Sequence, residues 1–213
     1  MNKVLVIDDH PVYRRGMVSL IQAEADMQLC WEADSVSEAQ RLIHELKPDI
    51  LVLDLNLGEG SGLQLIKSLR TQGNHVPALV VSMYDETLFA ERAIRAGANG
   101  YINKADAISH IVPAIRQVLL GKLFLSTAMA EELLSSQLLG KAYARGFGEA
   151  RLSDREMEVY MMLGQGYATK RIATKLSISS KTVDSHKEHI KGKLGLTDNT
   201  SLIQHAVTWF MER

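Results

Sequence analysis

From residue 3 to residue 120, short apolar runs alternate with longer amphipathic stretches. The runs are Val4-Leu5-Val6-Ile7, Met27 to Trp31, Ile50 to Leu53, Ala78 to Val81 and Gly100 to Ile102. Continuous apolar runs of this kind predict strands covered on both faces. The intervening segments carry helix-start signals: Pro11 in a first turn, the capping pair Ser35-x-x-Glu38, and Asp85 or Glu86 ahead of Leu88, Ala90, Ala93 and Ile94. Gly97 and Asn99 punctuate the end of that last helix, and Gly121 ends the next. Five strands alternating with five helices predict an α/β fold: a doubly wound, five-stranded parallel sheet with helices on both faces, spanning residues 1 to 121.

Beyond residue 121 the period changes. Residues 122 to 150 read as a linker with one helix over 126 to 139, through Met129, Leu133, Leu134 and Leu138, followed by "GKAYARGFGEA" without sustained periodicity. From 151 to 213 the signals are helical only. Ser153-x-x-Glu156 is a second capping box, opening a helix with Val159, Met162 and Leu163 that stops near Gly164 or Gly166. A short helix follows around Ile172, Ala173 and Leu176, and a third is capped by Ser179 or Ser180, with Val183, Ile190 and Leu194 as its core face. A fourth, from Asn199, shows Leu202, Ile203, Ala206, Val207 and Phe210 on one face. This predicts a small all-α, four-helix domain.

Charge divides the chain the same way. Residues 1 to 150 hold 14 Lys and Arg against 18 Asp and Glu, a net −4, whereas 151 to 213 hold 10 against 7, a net +3. An acidic front and a mildly basic back suggest two domains with different partners. The 46 % hydrophobic content suffices for a core in each. Apolar runs of four or five residues fall far short of a membrane helix, and no basic-then-apolar leader opens the chain, so a cytoplasmic location without membrane association is expected. The single cysteine, Cys30, excludes an intrachain disulfide and is expected to be a buried thiol.

The candidate chemistry lies at the strand ends. Val4 to Ile7 runs into Asp8-Asp9, Ile50 to Leu53 into Asp54, Ala78 to Val81 into Ser82, and Tyr101-Ile102 through Asn103 into Lys104. In a parallel sheet the carboxyl ends of the strands share one edge, so these groups converge. Three crowded carboxylates repel, and the repulsion is relieved by raised pKa values, by a cation, or by both. Hard oxygen donors of this kind suit Mg²⁺. A carboxylate beside Mg²⁺ and an ammonium can attack a phosphoryl group, which makes Asp54 the candidate nucleophile, Asp8 and Asp9 the metal-holding groups, and Ser82 and Lys104 the ligands of phosphoryl oxygens.

The sets "IDDH" (7 to 10), "LVLDLNL" (51 to 57), "VVSMYD" (80 to 85) and "GYINKAD" (100 to 106) together resemble the receiver domain of two-component response regulators. The resemblance implies the flavodoxin-like strand order 2-1-3-4-5 and phosphoryl transfer from a sensor histidine kinase to Asp54. It also implies Mg²⁺ bound by Asp9, Asp54 and the backbone carbonyl of Asn56, and a switch in which Ser82 moves toward the phosphoryl group and the Tyr101 ring rotates inward. Two positions often proline in receivers hold Gly58 and Ala105. Haloacid-dehalogenase-type phosphatases also form an aspartyl phosphate, but they need a second aspartate where Asn56 stands, so no enzyme is expected.

Residues 152 to 196 resemble the helix-turn-helix output domain of the LuxR, NarL and FixJ regulators, through Leu152-Ser153, Arg155-Glu156, Glu158-Val159, Gly166, Lys170, Ile172-Ala173, Leu176, Ser179, Lys181-Thr182-Val183, His186 and Lys193-Leu194. That implies a recognition helix over 180 to 194 entering the major groove. Lys170, Arg171, Lys175, Lys181, Lys187, Lys191 and Lys193 cluster there, as phosphate neutralisation requires. Lys170, Lys181, Thr182, Asp184, Ser185, Lys187 and Lys191 are the candidate DNA contacts, with Asp184, Ser185 and Lys187 aimed at base edges. Asp184 and Glu188 stand where relatives are often basic, and an acidic reader suits cytosine N4.

The chain is thus identified as a member of the NarL/FixJ response regulators, in which phosphorylation controls binding to promoter DNA. RNA polymerase and a homodimer on DNA are the further partners expected. The last helix is the candidate dimer contact, which exposed Trp209 and Phe210 would support. The alternative is a constitutive DNA-binding regulator whose receiver serves only for dimerisation.

Overall fold

The computed structural model describes residues 1–58, 60–138 and 151–212, without the side chains of 136–138. The chain forms two compact units, Met1–Leu133 and Leu134–Arg213. The expected linker stretch 140 to 150 lies outside the described residues. No described helix is long and apolar enough to cross a membrane.

In the first unit the elements run β1 (Asn2–Ile7), α1 (Pro11–Gln22), β2 (Met27–Ala33), α2 (Val36–Leu46), β3 (Ile50–Leu53), α3 (Gly62–Thr71), β4 (Ala78–Ser82), α4 (Glu86–Ala96), β5 (Gly100–Asn103) and α5 (Ala107–Leu119). The strands form one parallel sheet in the order β2-β1-β3-β4-β5, as the resemblance implies. Every residue of β3 and β4 is buried, which explains why these strands are continuously apolar. On one face Val4, Val6, Val52, Leu79 and Val81 pack against Met17 and Ile21 of α1 and Ile111, Ile115 and Val118 of α5. The pleat sends Leu5, Ile7, Leu51 and Leu53 to the other face, and these are buried too. Each such side chain contributes about 1.5–3 kcal/mol by leaving water.

Several of the helix-end signals mark real helix boundaries. Pro11 opens α1, Asp85 caps α4 by accepting from Thr87 N at 2.8 Å, and Gly97 ends α4 in the left-handed region at φ 104°. Ser35 does stand at the start of α2, but its side chain makes no cap bond, and Glu38 instead accepts a 3.4 Å bond from Asp34 N. Cys30 is half-buried rather than buried, because β2 is an edge strand with Trp31 57 % exposed beside it.

The first unit also extends past its expected end at residue 121. The chain turns at Gly121 and lays Phe124 along the free edge of β5, where Tyr101 N donates to Phe124 O (2.9 Å) and Phe124 N donates to Asn99 O (3.1 Å). An unpaired strand edge is costly to leave bare, and this segment satisfies it. The expected helix over 126 to 139 is α6 (Thr127–Leu138); Met129 is buried, whereas Leu134 of the same apolar set is 61 % exposed.

The second unit holds α7 (Asp154–Gly164), α8 (Thr169–Lys175), α9 (Ser180–Leu194) and α10 (Asn199–Met211), the all-α helix-turn-helix arrangement. Gly164 lets α7 and α10 approach closely: a Cβ there would stand 2.6 Å from Ala206 O. The Ser153 box is complete, and the buried Glu156 of α7 also binds Lys193 Nζ of α9 at 2.5 Å. Burial pushes the Glu156 carboxyl up, but the Lys193 ammonium and the Ser153 N–H outweigh it and hold the group below the ordinary carboxylate value. The stability from this group is therefore present above the unfolded-state pKa and lost as pH falls through the lower folded one. Glu156→Gln is expected to cost about 1.5–3 kcal/mol at pH 7. The gap from wild type should narrow in acid, as thermal unfolding at pH 7 and in acid would register.

Candidate functional site

The backbone ladder continues through the site residues and pins them in place. Asp8 N donates to Ala33 O (3.0 Å), Asp54 N to Ile7 O (2.9 Å) and Lys104 N to Ser82 O (2.8 Å). The sheet therefore sets the spacing of the side chains at its carboxyl edge. Lys104 Nζ lies 2.7 Å from Asp8 Oδ2 and 2.7 Å from Asp54 Oδ2, and all three residues are buried. The half-buried Asp9 sits beside them, and His10 Nδ1 reaches in to 2.7 Å from Asp9 Oδ1 and 3.3 Å from Asp8 Oδ1. Asp8, Asp9, His10 and Asp54 each offer a ligand atom, all within 4.8 Å of one another.

Electrostatics follow from this crowding. Burial pushes the Asp54 carboxyl above its ordinary value against the pull of Lys104, and the charge of Asp8 adds to the rise. Burial pulls the Lys104 ammonium down, but the Asp54 and Asp8 carboxylates prevail and raise it. Both directions hold together because one buried ammonium serves more than one acid.

Ser82 and Tyr101 complete the pocket. The Ser82 hydroxyl is buried and lies near enough to tune both Asp54 and Tyr101, without hydrogen-bond geometry to either. The Tyr101 ring is buried, and its hydroxyl donates to Tyr84 O at 2.7 Å. Burial pushes that phenol well above its ordinary pKa.

Two departures from the receiver pattern have local causes. Gly58 sits at φ 45°, in the left-handed region closed to proline, and a Cβ there would meet Asp9 Oδ2 at 3.2 Å. Ala105 uses its N–H to donate to Asn103 Oδ1 at 3.0 Å, a bond proline lacks. Asn56, the expected carbonyl donor, has its N–H on Asp54 Oδ1 at 3.3 Å and pairs with Ser61 in an isolated bridge. Reading the strand ends alone missed three residues: His10, Tyr13, whose ring lies 4.9 Å from Lys104 Nζ, and Gly62, packed on the Asp54 backbone. Tyr13 follows His10 by three residues on a helix that Pro11 opens, so helical spacing could have found it.

In the second unit, Ser179 caps α9 by accepting from Thr182 N at 3.0 Å, as expected. Lys170, Lys181, Thr182, Asp184 and Ser185 are exposed. Lys191 is half-buried and pairs with Glu188 at 2.9 Å. Lys187 departs from the expectation of an open base or phosphate contact. It shares the inward face with Val183 and Ile190 and is only 8 % exposed, its Nζ 3.4 Å from Asp184 and 3.5 Å from Thr169 Oγ1. A repeat of four and then three residues places all three on one helical face. On α10, Trp209 is half-buried with its ring 5.3 Å from that of Tyr160, while Phe210 is exposed; the pair expected at a dimer contact is thus divided between core and surface.

Residues 4–116 match the response regulator receiver domain, and residues 150–206 match the bacterial regulatory proteins of the luxR family. The chain belongs to the NarL/FixJ family of two-component response regulators. It is 31 % identical to the response regulator GacA of Pseudomonas aeruginosa over 207 residues, covering 97 % of this chain and 96 % of that one. It is 33 % identical to the oxygen regulatory protein NreC of Staphylococcus aureus over 210 residues, covering 96 % of each. Among solved structures, a LuxR-family response regulator from Aurantimonas sp. SI85-9A1 superposes with a TM-score of 0.60 at 31 % identity, over 65 % of this chain and 99 % of that one. RcsB from Salmonella enterica serovar Typhimurium, solved on promoter DNA with a phosphomimetic, shares the fold with a TM-score of 0.70 at 24 % identity, over 97 % of this chain and 98 % of that one. This NarL/FixJ member is therefore a DNA-binding response regulator of a two-component system, with a receiver followed by a LuxR-type helix-turn-helix.

Proposed function

We propose that Asp54 accepts the phosphoryl group from a histidine kinase and that its phosphorylation controls the affinity of the helix-turn-helix for promoter DNA. The observation that carries this reading is the buried Lys104 ammonium, 2.7 Å from both Asp8 and Asp54. An ammonium held there in the resting state can transfer its contact to a phosphoryl oxygen once Asp54 carries one. The kinase phosphohistidine loses its P–N bond as an Asp54 carboxylate oxygen forms the new P–O bond.

The donor set fits Mg²⁺: Asp8, Asp9 and Asp54, with the Asn56 carbonyl, would hold it, and Gly58 keeps room for the Asp9 carboxylate. When bound, the ion neutralises phosphoryl oxygens that would otherwise repel the nucleophile. The buried Ser82 hydroxyl is available to donate to the new group, and Tyr101 is the ring beside it.

The path outward starts at Tyr101, whose backbone holds Phe124. Ser126 N donates to Glu86 Oε1 at 2.9 Å, so α4, β5 and the chain leading toward the second domain share hydrogen bonds. A cavity of about 360 Å³ lies among Glu86, Tyr101, Asn103, Phe124 and Ser126, leaving room for them to rearrange. A shift of Tyr101 therefore acts directly on the start of α6.

On DNA, Lys170 and Lys181 serve as phosphate contacts, and Thr182, Asp184 and Ser185 face the groove. Lys191 reaches phosphate by exchanging Glu188 for it, and Lys187 acts by holding Asp184. A homodimer on paired half-sites, contact with RNA polymerase and a cytoplasmic location complete the reading. The test starts from a duplex selected out of a random pool by the full-length protein. Affinity should rise on treatment with beryllofluoride and Mg²⁺, and Asp54→Asn should remove the rise; an equal rise in both refutes control through Asp54. Lys181→Ala should shrink the salt slope of binding by about one unit, measured by titration across salt concentrations, and an unchanged slope removes it from the interface.

A further inference from the structure

Among the described residues, His10 is the one member of the Asp8, Asp9, His10 and Asp54 cluster to which the receiver resemblance gives no role. Its conformation is set from both sides. It is the N-cap of α1 at φ −93° and ψ 104°, and Pro11 restricts the residue before it to this extended region. Its own N–H donates to Asp8 Oδ1 at 2.8 Å. The imidazole therefore folds back over the carboxylates instead of along the helix. Nδ1 stands 2.7 Å from Asp9 Oδ1, 3.3 Å from Asp8 Oδ1 and 3.7 Å from Asp54 Oδ2. The Tyr13 ring meets it edge-on, with centroids 6.5 Å apart at 87°.

We infer that His10 Nδ1 is a ligand of the divalent ion in this pocket, giving a mixed nitrogen and oxygen donor set that favours Mn²⁺ over Mg²⁺ beyond what the carboxylates alone would do. The inference rests on the reading of the pocket as a cation site. Carboxylates, carbonyls and water suit Mg²⁺ and Mn²⁺ alike, whereas imidazole is a softer donor that Mg²⁺ takes reluctantly; Mn²⁺, though the weakest binder of the first-row series, accepts it more readily than Mg²⁺ does. An exposed ring with one nitrogen facing three carboxylates can occupy a coordination position that water fills in an all-oxygen site. The simpler arrangement, in which His10 only hydrogen-bonds to Asp9 and swings away when an ion enters, predicts no metal–nitrogen bond.

Pulsed electron paramagnetic resonance of Mn²⁺ added alone to the full-length protein separates the two. Wild type should show ¹⁴N modulation from a directly bound imidazole, and His10→Ala should lose it while still binding Mn²⁺. Competition titrations should show the Mn²⁺-to-Mg²⁺ affinity ratio falling in His10→Ala, because the donor lost is one that Mn²⁺ uses and Mg²⁺ takes reluctantly. Binding without ¹⁴N modulation in wild type, modulation that persists in His10→Ala, or an unchanged ratio overturns the inference while leaving the cation site intact. Failure of wild type to bind Mn²⁺ at all overturns both.

Discussion

Lys104→Met is expected to destabilise the receiver by about 3–5 kcal/mol at pH 7, the usual cost of leaving buried charge without its partner, and to abolish phosphoryl uptake. Asp8 and Asp54 are both buried and would face each other without the ammonium that now touches each at 2.7 Å. A methionine keeps the volume, so cavity formation does not enter. The variant should also recover stability in acid. Without the cation the folded state holds protons on these acids more tightly than the unfolded state, so stability rises as pH falls toward the unfolded carboxylate value. In wild type the Lys104 contribution behaves oppositely. Its folded pKa is raised, so its stabilisation is complete below the unfolded-state value of 10.5 and is lost as pH rises through the folded one. Urea unfolding of wild type and variant at pH 7 and pH 5 checks the recovery in acid, and unfolding of both carried above the unfolded-state value of 10.5 checks the loss in base; a destabilisation that does not shrink in acid would show that electrostatics is not its cause.

Gly62→Ala should damage the site without touching an ionisable group. A Cβ at this position would stand 2.3 Å from Asp54 O and 2.9 Å from Leu55 Cα, both backbone atoms that no side-chain rotation can clear. Gly62 N also donates to Leu55 O at 2.9 Å, closing the loop between β3 and α3. The strand end that carries Asp54 must therefore shift. Overpacking of this kind costs about 1–3 kcal/mol, and a displacement approaching 1 Å at the proposed nucleophile, Asp54, can slow its reaction about 100-fold. Gly16→Ala is the control, since a Cβ there meets nothing within 4 Å in α1; it should gain about 0.5–1 kcal/mol from the helix and leave phosphorylation unchanged. The rate of acetyl phosphate uptake by the three proteins distinguishes them.

Much of this site is legible in the sequence because a parallel sheet does the assembling. Once five apolar runs alternate with helices, the residues that end them must meet at one edge, and Asp8, Asp54, Ser82 and Lys104 follow from that geometry alone. His10 and Tyr13 were hidden because they lie past a strand end, where the direction of a side chain depends on how the chain enters α1. Gly62 was hidden because nothing in local sequence reveals what a missing side chain makes room for. Phe124 read as linker because β-pairing with β5 is a long-range choice, made by the open edge of the sheet and not by the propensity of the segment. Lys187 misled for the opposite reason. A lysine on a basic helix reads as exposed, yet its spacing from Val183 and Ile190 puts it on the inward face, where its long stem packs and its head finds Asp184.

In the proposed mechanism Asp54 takes up a phosphoryl group with the help of an adjacent ammonium and a divalent ion. Mass spectrometry of the intact protein after incubation with acetyl phosphate and Mg²⁺ tests it most directly. Wild type should gain about 80 daltons, the mass of one phosphoryl group, while Asp54→Asn and wild type held in a chelator should gain nothing. No gain in wild type, or an equal gain in Asp54→Asn, would rule out phosphoryl transfer to Asp54.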